Sequence, residues 1–261
     1  MQPEIDLFGL SLKTFGMCFA LGFVVSGAIV AHRLKELGKP PDWAYEIVFA
    51  ALIGGLLGAR GYWVLTHTSQ VGDDFLGNVF GGSGLVWYGG VLGGGAGVLL
   101  WAYRKAMVNV HLADLCVPGL AMGYAIGRIG CQISGDGDYG TATDLPWGMA
   151  YPDGAVPTTE VVHPTPIYET LTMGLVAWVL WRLRDTFRPG VLFAWYLVLA
   201  GGERFLVEFV RRNDAAVVGL TEAQLFSLAM LVAGVVWLVR AARSGGLWRE
   251  GLGSAEAPAA A

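Results

Sequence analysis

The hydrophobic positions of this chain fall into runs of about 20 apolar residues, the length that an α-helix needs to cross a bilayer. Short polar connections separate the runs. The pattern predicts seven spans, at residues 14–31, 43–65, 84–103, 112–133, 165–182, 190–210 and 222–240. Charged residues interrupt the second and fourth spans, namely Glu46, Arg60, Asp114 and Arg128.

Composition agrees with this pattern. Hydrophobic residues make up 54% of the chain, charged residues make up 15%, and the mean hydropathy is +0.53. A soluble globular domain carries about 25% charged residues. We therefore expect an all-α integral membrane protein, a polytopic bundle of about seven transmembrane helices that forms a single transmembrane domain over residues 1–261.

The N-terminal residues and the cysteines give further information about the kind of membrane protein. The start, MQPEIDLFGL, has two acidic residues and no basic residue before the first span, so a cleaved signal peptide is not expected. Cys18, Cys116 and Cys131 lie within or at the ends of apolar runs without CxxC spacing. They indicate neither a disulfide framework nor a zinc site, and we expect no metal and no cofactor.

Lysine and arginine are distributed unevenly between alternate connections. Three lie on one side, which are Lys13, Arg211 and Arg212. Eleven lie on the other side, which are Arg33, Lys35, Lys39, Arg104, Lys105, Arg182, Arg184, Arg188, Arg240, Arg243 and Arg249. The positive-inside rule then predicts an N-terminus outside the cell and a cytoplasmic C-terminus.

With this orientation the longest connection, residues 134–162, is external. It contains five acidic residues and no Lys or Arg. Its apolar and aromatic residues could pack into a small core, so we expect a small ordered cap. These residues are Pro146, Trp147, Tyr151 and Pro152. The tail, from about residue 250 to 261, is expected to be disordered.

Many of the 39 glycines have small-xxx-small spacing inside the spans. The pairs are Gly54 with Gly58, Gly90 with Gly94, Gly93 with Gly97, and Gly123 with Gly127. Such spacing allows helix backbones to approach closely in lipid. We expect these glycines to pack helices together.

With this orientation, charged residues from different spans lie at the same depth in the membrane. Arg60, Arg128 and Arg204 lie in the outer thirds of three different spans, and other polar residues share that depth: Tyr88, His163, Tyr168, Glu169 and Glu208. Each arginine alone has a structural explanation, such as pairing of Arg204 with Glu208 at i, i+4 or of Arg128 with Asp136 or Asp138. Three guanidiniums together at one depth favour an anionic ligand, for which a phospholipid headgroup is the natural candidate.

Five segments carry a resemblance to a known family. They are GARGYWVL, GLVWYGGVLGG, the GRIG segment with its glycine-rich continuation, HPTPIYE, and GGERFLVEFVRR followed by GLTEAQLFSLAM. In combination and order they resemble the motifs of bacterial prolipoprotein diacylglyceryl transferases, over residues 12 to 240. The resemblance implies transfer of an sn-1,2-diacylglyceryl group from phosphatidylglycerol to the lipobox cysteine thiol of a prolipoprotein, with release of glycerol phosphate.

The resemblance also implies roles for individual residues. Arg128 and Arg204 would grip the phosphate, and Glu208 would hold Arg204. Asp136 falls where the family has a polar or acidic residue after GRIG. The remaining matches are His163, Tyr168 and Glu169, which would shape the outer mouth of the site, and Gly135 and Gly140, which would let the backbone approach the headgroup. Arg60 belongs to the same substrate-binding set.

The chain departs from the family pattern at three positions. Tyr88 stands where many members have a histidine, proposed as the base for the thiol, and Cys131 and Phe15 replace an asparagine and a tyrosine. A tyrosine has an ordinary pKa near 10 and is a poor base unless nearby arginines lower that value. The proton acceptor is therefore Tyr88, His163, or no protein group.

Two other function classes stay open on the sequence. A non-catalytic relative that binds anionic lipid or a signal peptide is suggested by Tyr88 and Cys131. A transporter would place polar groups along the full depth or in repeated halves, whereas here they cluster on one side. The expected partners are phosphatidylglycerol and prolipoprotein signal peptides, with no nucleic acid. We expect a monomer in the bacterial cytoplasmic (inner) membrane, with the active site facing the outer leaflet.

Overall fold

A computed structural model of the chain describes residues 1–7, 9–66, 87–216 and 218–249. These ranges contain seven α-helices: α1 Thr14–Glu36, α2 Trp43–Thr66, α3 Trp87–Arg104, α4 Val110–Ser134, α5 Thr165–Arg182, α6 Val191–Val207 and α7 Glu222–Gly245. A 3₁₀ turn, Glu208–Val210, prolongs α6. Each predicted span overlaps one helix, so the predicted positions are confirmed. Residues 84–86 of the third span and the tail from residue 250 lie outside the described residues.

Four of the described helices are long and apolar enough to cross a membrane, namely α1, α2, α4 and α7. The other three are shorter or more polar. Helix α6, for example, has 17 residues before it continues into the 3₁₀ turn. The chain is thus a mainly helical membrane protein, and its span count of seven stays a prediction.

The chain separates into two compact units. The larger comprises Met1–Ile29 and the chain from Ala113 onward, and the smaller comprises Val30–Leu112. The expectation of one transmembrane domain is not tested by this division and stays a prediction.

In the smaller unit, glycines bring α2 and α3 into backbone contact. A Cβ atom on Gly54 or Gly58 would collide with backbone atoms of Gly93, and one on Gly97 would collide with Ala50. Only a residue without a side chain fits at such a crossing. The predicted role of Gly54, Gly58, Gly93 and Gly97 is confirmed.

The core of the larger unit lies between α4, α5 and α6. Its fully buried side chains include Val117 and Ala121 on α4, Met173 and Leu180 on α5, and Leu192 on α6. They are large and small apolar residues that interdigitate at helix crossings. This core fixes the three helices whose ends carry the site.

Close approach also occurs between α1 and α4. Gly123 lies against the backbone of Gly22, and the hydroxyl of Ser26 donates to the carbonyl of Gly119 at 2.7 Å. Gly127, the expected partner of Gly123, has open space beside it. The small-residue prediction is therefore confirmed for Gly123 and not for Gly127.

Two of the charges that interrupt the spans have structural partners. Asp114 accepts from the backbone N–H groups of Gly190 (2.6 Å) and Phe193 (2.8 Å), and thereby satisfies the free N-terminal donors of α6. Glu46 accepts from the indole of Trp101 (2.6 Å) and pairs with Lys105 (2.8 Å). These two acids stabilise helix ends and helix pairs.

Two antiparallel hairpins complete the fold. Strands β1 Glu4–Leu7 and β2 Leu10–Lys13 precede α1, and strands β3 Met149–Tyr151 and β4 Thr158–Val162 lie in the segment 134–162, here called the cap. None of these four strands was predicted from the sequence.

The cap packs around a small core that differs from the residues predicted to pack it. Tyr151 is fully buried and stacks on Tyr139 with ring centroids 4.7 Å apart, and Val162 completes the cluster. Pro146 and Pro152 are exposed, and so is most of Trp147. The Tyr151 hydroxyl donates to Gln132 at 2.9 Å, which ties the cap to the end of α4. Burial raises the pKa of Tyr151 to about 12, so this hydroxyl stays protonated as a donor.

Candidate active site

Glu169 is the centre of a buried polar cluster. The chain enters α5 through Pro164 and Pro166, and a proline in the first turn is compatible with a helix start. Glu169 follows within a turn and is completely buried. A carboxylate without water is strongly destabilising unless it is paired and hydrogen-bonded, so its partners define the site.

Four side chains from three segments supply those partners. The Tyr124 hydroxyl donates to Glu169 Oε1 at 2.8 Å, Arg128 Nε lies 3.2 Å from Oε2, and Arg211 Nη1 donates to Oε2 at 3.2 Å. Arg204 Nη1 lies farther away, 3.7 Å from Oε1. Glu169 was expected at the outer mouth of the site, whereas it lies buried at the centre of the cluster.

Asp138 is the second carboxylate of the cluster and bridges two guanidiniums. Its Oδ1 lies 2.5 Å from Arg211 Nη2, and its Oδ2 pairs with Arg128 Nη1. Burial alone would raise the pKa of Asp138, but the charges of Arg128 and Arg211 outweigh it and hold the pKa below the usual value.

A tight turn and short contacts place Asp138 there. Gly135 and Gly137 both have positive φ, at 58° and 94°, and the Asp138 N–H donates to Asp136 Oδ1 at 3.3 Å. The Thr165 hydroxyl at the start of α5 donates to the Asp138 carbonyl at 2.6 Å. Arg128 therefore pairs with Asp138, and Asp136 shapes the turn.

Glu208 is the third carboxylate. Its Oε2 lies 2.8 Å from Arg204 Nη1, which is the i, i+4 pair expected from the sequence. Its Oε1 accepts from Asn213 (2.6 Å) and from the Thr221 hydroxyl (2.8 Å). Thr221 is also the N-cap of α7 in a capping box with Gln224, so Glu208 connects the cluster to the start of that helix.

The Arg204–Glu208 contact is close but poorly aligned. Arg204 Nη1 and Glu208 Oε2 are both buried, and neither has a hydrogen bond within the described part of the chain. Attraction between the charges holds them together, while a guanidinium N–H of Arg204 keeps its donor capacity. We call the six residues the guanidinium–carboxylate network: Arg128, Arg204, Arg211, Asp138, Glu169 and Glu208.

Helix α6 and its 3₁₀ extension present two adjacent faces. Arg204, Glu208 and Arg211, at i, i+4 and i+7, point into the network. The neighbouring face lines a cavity of about 480 Å³, here called the cap cavity. Its walls include Trp147 of the cap, His163, Tyr168 on α5, and Glu203, Leu206 and Val210.

His163 and Tyr168, both predicted from the HPTPIYE segment, meet on the wall of the cap cavity. The Tyr168 hydroxyl lies 3.3 Å from His163 Nδ1 and accepts from the Trp147 indole at 2.8 Å. These residues sit beside the network and outside it.

Of the remaining predicted residues, Arg60 and Tyr88 belong to the smaller unit, and Gly135 and Gly140 belong to the larger unit. The Arg60 guanidinium belongs to the smaller unit and lies 4.6 Å from the centroid of the Trp63 ring. Tyr88 lies in the first turn of α3, but its side chain falls outside the described part of the structure. A Cβ on Gly140 would collide with the Val210 carbonyl, and one on Gly135 would meet Gly154 at 2.8 Å. Protein atoms fill the space beside both glycines, and headgroup approach there stays a prediction.

Cys131 occupies the position where the family pattern has asparagine. Its Sγ lies 3.6 Å from Asp138 Oδ2 and 3.7 Å from Arg128 Nη1. Cys131, Asp136 and Asp138 have ligand atoms within 4.8 Å of one another, the spacing of a metal site. Both oxygens of Asp138 already hold guanidiniums, which disfavours a cation at this position.

Sequence reasoning missed Arg211 and Tyr124 as site residues and mentioned Asp138 only as a pairing option. Arg211 was counted as a connection charge, although its side chain is only 7% exposed and binds two carboxylates. Its spacing of seven residues from Arg204 was the available signal, because residues two turns apart share a helix face. No comparable signal marks Tyr124.

The fold and the site together define a membrane protein with a buried guanidinium–carboxylate network at the ends of its helices. The chain belongs to the prolipoprotein diacylglyceryl transferase family, whose model matches residues 4–240.

Relatives from three bacteria match 88% to 91% of the chain. A protein of Clostridium tetani is 31% identical over 241 residues, covering 90% of this chain and 96% of the relative. A protein of Chromohalobacter salexigens is 32% identical over 252 residues, covering 91% and 92%. A protein of Clostridium perfringens is 29% identical over 236 residues, covering 88% and 91%. The first two are named phosphatidylglycerol–prolipoprotein diacylglyceryl transferase, and the third bears the same name with the number 2.

Proposed function

We propose that this chain transfers the sn-1,2-diacylglyceryl group of phosphatidylglycerol to the lipobox cysteine thiol of prolipoproteins and releases glycerol phosphate. Family membership and the names of the relatives support the reaction. The observation that carries it in this molecule is the buried N–H of Arg204, which has charge but no aligned acceptor. A phosphate oxygen of the lipid is the acceptor that fits a guanidinium donor.

In the proposed reaction the thiol sulfur attacks the glycerol carbon that carries the phosphate. The C–S bond forms as the C–O bond breaks, and the electron pair of that bond leaves with the glycerol phosphate. Arg204 and Arg128 stabilise the charge that grows on the departing oxygen. Glu169 and Glu208 hold the two guanidiniums in orientation.

The other predicted residues take supporting roles in this proposal. His163 and Tyr168 shape the wall beside the bound substrates, and Asp136 and Gly135 lie in the turn that presents Asp138. Gly135 and Gly140 let the backbone approach the headgroup. A substrate-binding role for Arg60 and a catalytic role for Tyr88, both in the smaller unit, stay predictions.

The proposal includes a location. The protein spans the bacterial cytoplasmic (inner) membrane seven times as a monomer, with the N-terminus outside, the C-terminus inside and the site at the outer leaflet. Eleven Lys and Arg residues against three in the alternate connections support this orientation. Seven helices at the predicted spans support the count.

Glycerol phosphate release tests the function. Purified protein is mixed with phosphatidylglycerol micelles and a lipobox peptide, with the peptide carrying alanine for cysteine as the control. We expect release that requires the thiol. Arg204→Gln should abolish release, and Arg212→Gln, which changes the exposed neighbour of Arg211, should not.

A negative result is informative when an authentic family enzyme works in the same assay. Phosphatidylglycerol binding without release would then point to a non-catalytic lipid-binding relative. Full release by Arg204→Gln would contradict the assignment of the phosphate to this guanidinium.

A further inference from the structure

Glu203 stands apart from the other acids near the site. It precedes Arg204 on α6, is partly buried, and lies on the wall of the cap cavity. Within the described part of the chain its carboxylate has no hydrogen bond and no ion pair, in contrast to Asp138, Glu169 and Glu208. It is an acceptor whose capacity is unused.

The other candidate acceptors on this wall are engaged. The Tyr168 oxygen accepts from the Trp147 indole at 2.8 Å, and the same hydroxyl lies 3.3 Å from His163 Nδ1. Tyr168 and one ring nitrogen of His163 therefore already have partners, in contrast to the Glu203 carboxylate.

The network carboxylates are engaged as well. Asp138, Glu169 and Glu208 each contact two or more guanidiniums. Protonating one of them would leave the network with one uncompensated positive charge, at a free-energy cost. These carboxylates are therefore suited to pairing with the arginines and unsuited to accepting a proton.

We propose that Glu203 is the general base that accepts the proton of the lipobox thiol. The inference rests on the proposed function and goes beyond it, since it assigns the proton transfer to a residue that the sequence analysis did not consider. The cap cavity, bounded by Leu206, Val210 and Tyr168, would hold the apolar peptide segment around the cysteine.

The proton and the bonds balance in this step. The thiol proton passes to the Glu203 carboxylate as sulfur bonds to the glycerol carbon, and the carbon–oxygen bond to the phosphate breaks. The proton then leaves with the glycerol phosphate or to water, which returns Glu203 to its charged form. No oxidant, metal or further reactant is required.

Charged groups on neighbouring elements act on Glu203. Arg204 on the same helix, Arg128 on α4 and Arg211 after the 3₁₀ turn attract its negative charge, and Glu169 on α5 repels it. His163 and Tyr168 share the cavity wall. The position of Glu203 beside Arg204 would place the base next to the group that holds the leaving phosphate.

The test compares wild type, Glu203→Gln and the control Glu160→Gln, whose side chain is exposed on β4. The readout is kcat/KM for glycerol phosphate release between pH 6 and 9. We expect Glu203→Gln to lose about 100- to 10,000-fold, the usual contribution of a general base. Its remaining rate should rise about tenfold per pH unit below the thiol pKa of about 8.5, because only preformed thiolate reacts.

A second peptide separates proton transfer from binding. Selenocysteine replaces the lipobox cysteine, and its selenol is already ionised at neutral pH. Glu203→Gln should recover most of its loss with this peptide, since no proton has to be removed. Thermal unfolding of each variant in detergent shows whether it is folded.

Other outcomes overturn the inference. Wild-type kcat/KM in Glu203→Gln would exclude a base at this position, and an equal loss with both peptides would assign Glu203 to binding or folding. If the wild type itself fails with the cysteine peptide, the proposed function fails and this inference falls with it. The wild-type measurement therefore tests the proposed function, and the Glu203→Gln measurement tests the role of Glu203.

Discussion

At the residue scale, Arg211 joins the fully buried carboxylate of Glu169 to the partly exposed carboxylate of Asp138. It contacts Asp138 at 2.5 Å and Glu169 at 3.2 Å. We expect Arg211→Gln to abolish transfer and to lower the free energy of unfolding by about 3 to 5 kcal/mol, because it leaves the network with one excess negative charge. Thermal or denaturant unfolding in detergent, together with glycerol phosphate release, measures both effects.

The next residue provides a matched control. Arg212 is exposed and its guanidinium lies 4.4 Å from the centroid of the Tyr139 ring. A contact of this kind at an exposed site is worth about 0.5 to 1 kcal/mol. Comparable destabilisation by Arg212→Gln and Arg211→Gln would contradict the special role of Arg211.

Asp138 gives the site a defined response to acid. Its folded-state pKa is lowered, whereas an unfolded aspartate titrates near 3.9. The unfolded chain therefore takes up the proton first as pH falls. The stability that Asp138 contributes is complete above about pH 4 and disappears as pH falls through the lower folded value.

The expected result is a difference in stability between wild type and Asp138→Asn that is constant from pH 7 to pH 5 and shrinks below about pH 4. Thermal unfolding in detergent across this range measures it. Asp144→Asn, a change at an exposed cap residue, should follow wild type throughout. A constant difference down to pH 2 would refute the linkage.

At the scale of elements, the α2–α3 contact depends on the absence of side chains. A Cβ on Gly93 would collide with the carbonyl of Gly54 and lie 2.7 Å from Gly58 Cα, whereas Gly95 has open space. We expect Gly93→Ala to cost about 1 to 3 kcal/mol by forcing the helices apart. Gly95→Ala should be neutral or stabilising by up to about 1 kcal/mol, since alanine favours helix.

Unfolding of the two variants in the same detergent measures the difference. Both variants replace a glycine of α3 by alanine, so they differ only in whether that glycine lies at the contact with α2. Equal stability would show that the helices can part without cost.

The helices were predictable because each requires only a long apolar run, and α5 has the predicted bounds of 165 and 182. The strands were not predictable. Those of the cap have three and five residues, and β1 and β2 have four each, too short for a clear alternation of apolar and polar positions. Their positions follow from tertiary contacts, such as the bond from Gln2 N to the Ile133 carbonyl (3.0 Å).

Most charged residues of the candidate site could be predicted from the sequence, but most of their pairings could not. Arg128, Arg204, Glu169 and Glu208 were identified because charged residues in apolar runs are conspicuous. Arg211 sits just beyond such a run, where a charge needs no explanation. Only the extension of α6 by a 3₁₀ turn returns it to the interior.

At the scale of the whole molecule, the proposed orientation can be tested by labelling in intact cells. Thr159→Cys lies on an exposed position of the cap, and Val108→Cys lies in the connection between α3 and α4. An impermeant maleimide should modify Cys at 159 and reach 108 only after the membrane is opened. The parent protein, with Cys18, Cys116 and Cys131, reports background labelling.

The opposite labelling pattern would invert the orientation and place the site at the inner leaflet. Modification of both positions in intact cells would contradict the predicted number of crossings between them, because the two connections must lie on opposite sides.

The network contains three guanidiniums and three carboxylates, so its formal charge is zero. Little electric field therefore extends from it to guide an anion from a distance. An entering headgroup would bind a guanidinium that an internal carboxylate also contacts. Selectivity would then come from the shape of the phosphate diester, and lipid affinity should respond only weakly to the salt concentration of the medium.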